Sequence, residues 1–276
     1  MKFLSWNVNG LRAILKKDCI INNVKDPNNT FKNFLEKQNA DVVCLTEIRM
    51  DYTKNPPDLG YPYNYASFKT NGRAGVLVMS KIKPKSVKTD LIEEGRVVVL
   101  EFDRVSPAGS STGTSSTTYS GNSFYFVGVY VPNSGEELKT LDYRVNTWDP
   151  EFYNLLHKLN KKLPVIVAGD LNVVQFERDT KHFDKQRNKV AGVTDLERAN
   201  FAKLIASGFH NVFRMFYPEK VEYTYFSYKT RGRAYNSGMT IDYFLISKGS
   251  GIRLSSIKVL ENVYGSDHLP ITMTTL

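Results

Sequence analysis

Short apolar runs recur from one end of the chain to the other, and turns or helix-like stretches separate them. The runs are rich in β-branched and aromatic residues, a composition that predicts strands. The predicted strands lie at residues 2–8, 41–47, 75–80, 96–102, 124–131, 164–170, 241–247, 253–260 and 270–276. Apolar residues fall three and four positions apart at residues 30–39, 136–162 and 194–207, which predicts helices. Strands near both ends with helices interspersed indicate an α/β fold in which helices cover two packed sheets.

The chain shows no break in composition and no internal repeat, so we expect one domain over residues 1–276. The string TDLE at 194–197 has the form of a capping box and predicts where the third helix begins. Residues 106–123 are dominated by Ser, Thr and Gly and lie between two predicted strands. They indicate a flexible surface insertion, with a regulatory phosphorylation loop as the alternative.

Charge and cysteine content narrow the partners and the compartment. The 37 Lys and Arg residues outnumber the 28 Asp and Glu residues, which favours nucleic acid as a partner, although a solvated basic surface explains the same surplus. Cys19 and Cys44 have neither metal-ligand nor redox spacing, so a reducing compartment inside the cell fits best. No segment is apolar for long enough to cross a bilayer, and the first residues lack a cleavage site. We therefore expect a protein that is not secreted and not bound to a membrane, and nothing in the sequence indicates more than a monomer.

Acidic and amide residues stand at the ends of several predicted strands, where open α/β folds bind their ligands. Glu47 directly follows an apolar run, and Asp170 and Asn172 end another. The last two would share one face if the strand continued, or would shape a turn if it did not. Asp242 opens a strand and is suited to orient a histidine, which becomes a competent acid, base or phosphate ligand.

Joint occurrence of these residues with Asp267 and His268 predicts a metal site, because Mg²⁺ binds through one or two carboxylates together with substrate phosphate oxygens. Each residue taken singly is explained as well by a turn or a surface position. The sequence contains no HExxH or phosphate-loop motif that would indicate another chemistry. A metal-dependent phosphohydrolase is therefore the economical interpretation.

Nine strings in the sequence carry a family resemblance. They are SWNVNGLRA (5–13), LTEIR (45–49), GRAGVLVMSK (72–81), VYVPNSG (129–135), DYR with Trp148 after it (142–148), GDLNV (169–173), AGVTDLER (191–198), IDYFLIS (241–247) and GSDHLPI (265–271). In these strings and in their order the chain resembles the exonuclease III and apurinic endonuclease family, within the larger group of endonucleases, exonucleases and phosphatases. The resemblance covers nearly the whole chain.

The resemblance implies a four-layer α/β/β/α sandwich with two packed mixed sheets. It implies a nuclease of base excision repair that cuts the phosphodiester 5′ to an abasic site in duplex DNA and leaves a 3′ hydroxyl, with 3′–5′ exonuclease or 3′-end-cleaning activity. The implied cofactor is Mg²⁺, with Mn²⁺ as a substitute. Implied partners are duplex DNA with abasic or damaged 3′ sites and other repair proteins, in the nucleus of a eukaryote or the cytoplasm otherwise.

The resemblance also assigns roles to single residues. Glu47 would hold the metal, with Asp267, Asn7 and Asn9 nearby or acting through water. Asp170, steadied by Asn172, would orient or deprotonate the attacking water, and both are counted among the metal ligands. His268, paired with Asp242, and Tyr130 would stabilise the phosphoryl oxygens, and Asn133 and Asn172 would help to hold the target phosphate.

Implied DNA contacts extend outward from this centre. They are Arg49, Arg73, Asn133, Tyr225, Lys229, Arg231, Met239 and Ile241. A second basic cluster with weaker support comprises Lys181, Lys185, Arg187 and Lys189.

Four positions depart from the family pattern. Asn9 stands where an aspartate is common, which removes one charge from the metal site. Glu136 replaces a basic residue that contacts DNA, so that contact should be lost. Met239 replaces a tryptophan that walls the sugar pocket, and Lys229 stands where some relatives insert an apolar side chain. We hypothesise a softer pocket wall with relaxed discrimination between abasic and ordinary nucleotides, because methionine is flexible.

Two other functions remain open on the sequence alone. A phosphatase or phospholipid hydrolase of the same fold would share the metal site, because fold does not fix substrate. A non-catalytic DNA-binding protein would be expected to lack one of Glu47, Asp170, Asp267 or His268, and all four are present.

Overall fold

The strands of the computed structural model follow the apolar runs closely. The model describes residues 1–69, 72, 74–89, 95–103 and 123–276. Its strands are β1 (Lys2–Asn7), β2 (Val42–Thr46), β3 (Tyr63–Ser67), β4 (Val76–Ser80), β5 (Ser86–Lys88), β6 (Val97–Phe102), β7 (Phe124–Tyr130), β8 (Val165–Asp170), β9 (Phe209–Asn211), β10 (Asp242–Ser247), β11 (Leu254–Val259) and β12 (Ile271–Thr275).

The helices lie between the strands. They are α1 (Leu11–Ile14), α2 (Phe31–Gln38), α3 (Leu141–Tyr143), α4 (Asp149–Asn160), α5 (Phe183–Gln186), α6 (Asp195–Ala206) and α7 (Val212–Phe216). A π-helical segment, Arg144–Trp148, joins α3 to α4, and short 3-10 turns occur at Glu136–Leu138 and Glu177–Asp179.

The strands form two six-stranded mixed sheets. The first has the order β11-β12-β1-β2-β4-β3, and the second has the order β5-β6-β7-β8-β10-β9. One parallel pair lies in each sheet, β1 with β2 and β7 with β8, and the other neighbouring strands run antiparallel. The expectation of two packed mixed sheets is confirmed.

Three apolar layers separate the four layers of secondary structure. Between the sheets, Phe3 of β1 stacks on Phe126 of β7 with ring centroids 5.7 Å apart. Trp6 points to the other face of its sheet and packs against Phe34 of α2. On the outer face of the second sheet, Phe152 of α4 belongs to a buried cluster with strand residues. This α/β/β/α order follows from the alternation of side chains along each strand.

Three strands lack a strong signal in the sequence, and all lie at or next to a sheet edge. β5 and β9 have three residues each, and β3 has the mixed string YNYAS. An edge strand is paired on one side only and leaves room for polar residues, so its alternation is weak.

The helix expected over 136–162 is partly wrong. Glu137 and Leu138 have φ angles of 55° and 60°, so the chain turns there and becomes helical only from Leu141. The capping box is confirmed, because Thr194 Oγ1 accepts from Glu197 N at 3.2 Å and the Glu197 carboxylate accepts from Thr194 N at 3.3 Å.

The insertion expected at 106–123 lies outside the described residues except for Ser123, whose hydroxyl donates to Asp103 Oδ1 at 2.6 Å. None of the helices in the described ranges has the length and apolar content needed to cross a membrane.

The two cysteines should differ in reactivity. Cys44 is fully buried between the sheets, and burial raises the pKa of its thiol to about 12, whereas Cys19 is partly exposed. Because the thiolate is the reactive form, we expect a thiol reagent at pH 8 to modify one cysteine of the native protein and both in denaturant. Mass spectrometry after Cys19→Ser should then find no labelling of the native chain; rapid labelling of Cys44 would contradict this packing.

Candidate active site

Several strand ends meet at one edge of the two sheets. In the first sheet, Asn7 at the end of β1 pairs with Thr46 at the end of β2. In the second sheet, Asp170 at the end of β8 pairs with Tyr130 of β7 on one side and Asp242 of β10 on the other. Asn7 Nδ2 donates to Asp170 Oδ2 at 2.9 Å, so the two sheets bring their polar ends together.

Glu47 leaves β2 in a strained backbone conformation. Its φ angle is 55°, a region that costs a non-glycine residue about 1–3 kcal/mol and that clusters at functional sites. The turn is held by Gly10 N, which donates to Glu47 O at 2.8 Å, and by Ile48 N, which donates to Gly75 O at 3.2 Å. A side chain at Gly75 would meet Ile48 at 2.6 Å. The close packing of this loop therefore turns the Glu47 carboxylate towards the cleft.

The chain turns sharply after Asp170, so the turn is the one of the two alternatives for Asp170 and Asn172 that the structure shows. β8 ends at Asp170, and Asn172 has a φ angle of 49°. The turn forms because Asp170 Oδ1 accepts from Asn172 N at 2.9 Å, a local bond that competes with continuation of the strand. Asn172 then donates from Nδ2 to Val131 O at 2.9 Å and accepts from Asn133 Nδ2 at 3.0 Å.

His268 and Asp242 form a buried pair. His268 Nδ1 lies 2.8 Å from Asp242 Oδ2, and His268 Nε2 lies 3.8 Å from Asp170 Oδ2. Trp6 Nε1 donates to the His268 carbonyl oxygen at 2.9 Å, and the ring of Tyr225 lies 4.8 Å from the imidazole. The sequence placed Asp242 where it could orient a histidine, and the structure brings the two side chains together.

Burial and mutual charge shift the pKa values of this group. Burial, with the repulsion of Asp242 next, raises the pKa of Asp170 to about 7. Burial alone would lower the pKa of His268, but Asp242, Asp170 and Asp267 together raise it to about 10. At neutral pH the site therefore holds an imidazolium beside a carboxylate that is poised to exchange a proton.

Glu47 interacts with two of the other expected site residues. The Tyr130 hydroxyl and Arg49 Nη2 both donate to Glu47 Oε1 at 2.8 Å. Burial, reinforced by the Glu47 carboxylate, holds the pKa of Tyr130 well above its usual value, so its hydroxyl stays a donor across the physiological range. Arg49 is exposed at the rim, where a guanidinium can meet a phosphate as well as Glu47.

Asp267 lies at the other side of the same cleft. Its Oδ1 accepts from Asn9 Nδ2 at 2.8 Å and from Ser266 Oγ at 3.3 Å. Asn9 itself has a φ angle of 47°, which asparagine tolerates better than most residues. The departure from aspartate at this position thus supplies a neutral amide that donates to Asp267.

The donor set suits a hard divalent cation. Glu47 and Asp267 line one cleft, and each keeps one oxygen, Oε2 and Oδ2 respectively, that accepts no hydrogen bond from the described residues. Carboxylate oxygens with room for water and phosphate are what Mg²⁺ requires. The amides of Asn7 and Asn172 are bonded to neighbours, Asn7 Oδ1 accepting from Asn9 N at 3.0 Å, so in this arrangement they orient Asp170.

A second set of ligand atoms lies deeper. Atoms of Asp170, Asp242 and His268 lie within 4.8 Å of one another, but all three residues are buried. The 2.8 Å bond between His268 and Asp242 already occupies two of those atoms. Glu47 and Asp267 are the better candidates for the cation, because they line the cleft with one carboxylate oxygen each not engaged by a described residue. Both oxygens of Asp170 already accept hydrogen bonds, and Asp242, whose Oδ1 has no partner among the described residues, is buried.

The cleft has a volume of about 900 Å³ and reaches well beyond the catalytic centre. Its lining includes seven of the residues expected to contact DNA or noted as departures: Arg49, Asn133, Glu136, Tyr225, Lys229, Met239 and Ile241. Tyr225 and Met239 pair through backbone bonds of 2.9 and 3.0 Å, and Met239 packs in a small apolar cluster with Ile241. This wall lies next to His268, because the Tyr225 ring centroid is 4.8 Å from that of the imidazole.

Other expected DNA contacts lie away from the cleft. Arg231 is exposed and lines a neighbouring cavity of about 610 Å³. Of the second basic cluster, Lys189 lines the cleft, whereas Arg187 forms an exposed ion pair with Asp195 at 2.9 Å; Lys181 and Lys185 are exposed. Arg73 lies outside the described residues.

The sequence did not single out some residues that lie beside the expected site residues. Ser266 Oγ donates to Asn7 O at 2.7 Å and accepts from His268 N at 3.2 Å, so it ties the end of β1 to the loop that carries Asp267 and His268. It stands inside the string GSDHLPI, which was the available signal. Tyr235, 70% exposed, also lines the cleft, and its place in a basic and aromatic loop was its only mark in the sequence.

Comparison with known proteins places the chain among nucleases. The model of the Endonuclease/Exonuclease/phosphatase family matches residues 4–268. A DNA-(apurinic or apyrimidinic site) endonuclease of Dictyostelium discoideum is 35% identical over 98% of this chain and 69% of its own length. An exodeoxyribonuclease of Bacillus subtilis is 33% identical over 99% of this chain and 98% of its own.

A solved structure agrees with these sequence relatives. The AP endonuclease of Leishmania major superposes with a TM-score of 0.79 at 27% identity, covering 99% of this chain and 86% of that one. The chain therefore belongs to the endonuclease/exonuclease/phosphatase family, in its exonuclease III and apurinic/apyrimidinic endonuclease branch.

Proposed function

We propose that this chain is a metal-dependent DNA repair nuclease that hydrolyses the phosphodiester 5′ to an abasic site in duplex DNA and leaves a 3′ hydroxyl. The observation that carries the proposal is the convergence of Asp170, the His268–Asp242 pair and the Glu47–Tyr130 pair on one cleft. In-line attack on a phosphodiester needs a group that aligns water, a donor to the phosphoryl oxygens and a charge-neutralising cation. The chain offers candidates for all three.

Asp170 is the proposed base. Asn7 Nδ2 and the backbone N–H of Asn172 each donate to one of its carboxylate oxygens, which holds the carboxylate in one orientation beside the cleft. Its raised pKa, about 7, is close to the working pH, the condition under which proton transfer is most efficient. A water held on this carboxylate gives up its proton there as it attacks phosphorus.

His268 and Tyr130 are the proposed donors to the phosphoryl oxygens. His268 carries a positive charge that Asp242 stabilises, and its Nε2 is the ring nitrogen left for a substrate oxygen. Tyr130 stays protonated and can transfer its hydrogen bond from Glu47 to phosphate. Donors aimed at developing charge supply a large part of catalysis.

Glu47 and Asp267 are the proposed holders of Mg²⁺, with Mn²⁺ as a substitute. A divalent cation there supplies a Lewis acid that neutralises charge on the phosphoryl and leaving oxygens. Asn9 donates to Asp267, and Asn7 and Asn172 donate to Asp170 and orient it. The three asparagines remain predicted as further metal ligands.

DNA is the proposed substrate because the cleft is large, about 900 Å³, and exposed lysines lie on its lining. The net charge of +9 favours a polyanion, and Lys229 and Lys189 stand exposed on the cleft lining. Relatives named for apurinic sites and exodeoxyribonuclease activity support the same substrate. The enzyme acts as a monomer inside the cell, in the nucleus of a eukaryote or the cytoplasm of a bacterium.

A substrate comparison tests the proposal. The protein is incubated with Mg²⁺ and, in parallel, with a duplex containing one abasic site, an undamaged duplex, an inositol phosphate and a sphingomyelin vesicle. We expect strand incision at the abasic site and no inorganic phosphate or choline phosphate from the other two compounds. Release from the inositol phosphate or the lipid without DNA incision would assign the chain to another activity of the same fold.

Met239 should set the balance between lesions. Because a flexible thioether replaces a rigid indole in the pocket wall, we expect Met239→Trp to raise the abasic-to-undamaged rate ratio by about 10-fold, the lower end of the range that one apolar pocket contact provides. Single-turnover rates on both duplexes give the ratio. Met239→Leu, which keeps an aliphatic wall, serves as the control, and an unchanged ratio in Met239→Trp would rule out relaxed discrimination.

A further inference from the structure

Arg144 lies in the interior directly behind the candidate active site. It is 1% exposed and begins the π-helical segment between α3 and α4. Its Nε donates to Asp149 Oδ1 at 2.7 Å, and Asp149 is equally buried. A buried ion pair of this kind contributes little stability over an apolar pair of the same volume, so its presence points to another requirement.

The rest of the guanidinium bridges two loops. Nη1 donates to Pro132 O at 2.7 Å and, at the longer distance of 3.5 Å, to Asn172 O. Nη2 donates to Leu171 O at 2.9 Å. Pro132 immediately precedes Asn133, and Leu171 lies between Asp170 and Asn172. One planar fork thus fixes the backbones that carry three proposed site residues.

Glu197 makes a second tie between the same regions. It is 0% exposed, and its Oε1 accepts from the Ser134 hydroxyl, next to Asn133. Its Oε2 accepts from Gly192 N at 2.8 Å and Thr194 Oγ1 at 2.7 Å. Gly192 packs directly on the Asn172 carbonyl, where a side chain would approach to 2.9 Å. The carboxylate therefore holds the Asn133 loop against the segment that supports Asn172.

We propose that Arg144, with Glu197 in support, is a positioning residue that sets the distance between Asn133 and the Asp170–Asn172 turn. The inference rests on the proposed function, in which Asn133 and Asn172 hold the target phosphate close to the Asp170 base. The distance between the two loops therefore affects the reaction rate. The directly observed consequence is the 3.0 Å bond from Asn133 Nδ2 to Asn172 Oδ1. Lysine cannot replace arginine here, because a point charge with three donors does not span carbonyls on two loops.

Kinetics of Arg144→Lys and Ser134→Ala test the role. Ser134→Ala removes one hydroxyl and tests the Glu197 tie if the arginine variant fails to fold. With abasic duplex, we expect kcat to fall about 10- to 100-fold in Arg144→Lys and about 3- to 10-fold in Ser134→Ala, with KM changed less than about threefold, because small misplacements of reacting groups cost rate more than affinity.

Leu35→Ala is the matched stability control. Leu35 is 1% exposed in α2, in the apolar layer on the far side of the first sheet. Its truncation should lower Tm as much as Arg144→Lys while kcat stays within about twofold of wild type. Equal losses of kcat in the control and in Arg144→Lys would reduce Arg144 to a general stabilising residue.

A double-mutant cycle separates positioning from an independent effect. If Arg144 acts through Asn172, the rate of Arg144→Lys combined with Asn172→Ala should match that of Asn172→Ala alone within about threefold. Multiplicative losses would contradict the proposal.

Hydrogen exchange provides a readout without substrate. The amides of Val131, Leu171 and Val174 are bonded to Asp170 O, Ile241 O and Gly192 O, each at 2.9 Å. We expect these three to exchange faster in Arg144→Lys, relative to other core amides, and not in Leu35→Ala. Unchanged exchange at these three amides would contradict the positioning role of Arg144, whichever substrate the enzyme takes. A wild type that incises no DNA would overturn the proposed function alone.

Discussion

Replacement of Asp170 by asparagine is expected to lower kcat for DNA incision by about 10³- to 10⁴-fold while the Kd for the same duplex changes less than about threefold. Asparagine keeps the shape of the side chain and can still accept from Asn172 N through one oxygen. It cannot take a proton from water, and its amide group would face the Asn7 amide, a second donor. The variant should therefore bind DNA and fail in the chemical step.

Single-turnover incision and fluorescence anisotropy measure the two quantities separately. Asp58→Asn, at an exposed carboxylate that pairs with Lys32 and accepts from Gly60 N, is the matched control and should be indistinguishable from wild type. Asp170→Asn that keeps more than a tenth of the wild-type kcat would remove Asp170 from the role of base. The raised pKa of Asp170 also predicts an acidic limb in the wild-type rate profile, with its midpoint at about 7 or lower, because a nearby cation favours the carboxylate.

The second large effect concerns the pair of His268 and Asp242. We expect His268→Gln to lower kcat about 10²- to 10³-fold, the size found when a donor to a developing oxyanion is removed. Asp242→Asn leaves the imidazole in place but removes the carboxylate that raises its pKa to about 10. Burial lowers the pKa of His268, and in this variant fewer negative charges counteract it, so the pKa of His268 falls.

The sign of the resulting pH dependence follows from these terms. In the wild type, His268 stays protonated to about pH 10, so it causes no loss of rate between pH 6 and 9. In Asp242→Asn the imidazolium loses its proton at lower pH, and kcat should fall as pH rises through that range. A rate profile for Asp242→Asn parallel to that of the wild type would show that Asp242 does not maintain the charge on His268.

The part of the site that could be predicted from the sequence consists of acidic residues at strand ends. Glu47, Asp170 and Asp242 follow or open apolar runs, so strand direction places them at sheet ends, and the packed loop after β2 then turns Glu47 to the cleft. The pairing of His268 with Asp242 follows from the same logic, since the last strand returns beside β1.

The path of the loops was not predictable in the same way. Asn172 leaves the strand because a single side-chain bond from Asp170 turns the backbone, and the sequence allowed both outcomes. Arg231 lies in the same basic loop as Lys229 but lines a different cavity, because the loop folds back on itself through the bond from Gly232 N to Ser227 O. Alternation carries no information about such turns.

Arg144 was missed for a further reason. It stands in a helix-like stretch, where an arginine ordinarily points to solvent, and its burial depends on carbonyls that come from two distant loops. No local pattern records such a contact. The string DYR, one of those that carry the family resemblance, includes Arg144 but indicated no role for it.

The most direct test of the account is incision of a 5′-labelled duplex with one abasic site by the purified wild type, in Mg²⁺ and again with excess chelator, beside Glu47→Gln. The account predicts a single product that ends in a 3′ hydroxyl immediately 5′ to the lesion in Mg²⁺, no product with chelator, and a loss of at least about 10²-fold in Glu47→Gln that higher Mg²⁺ partly restores. Incision that is unaffected by the chelator, or cleavage on the 3′ side of the lesion, would contradict it.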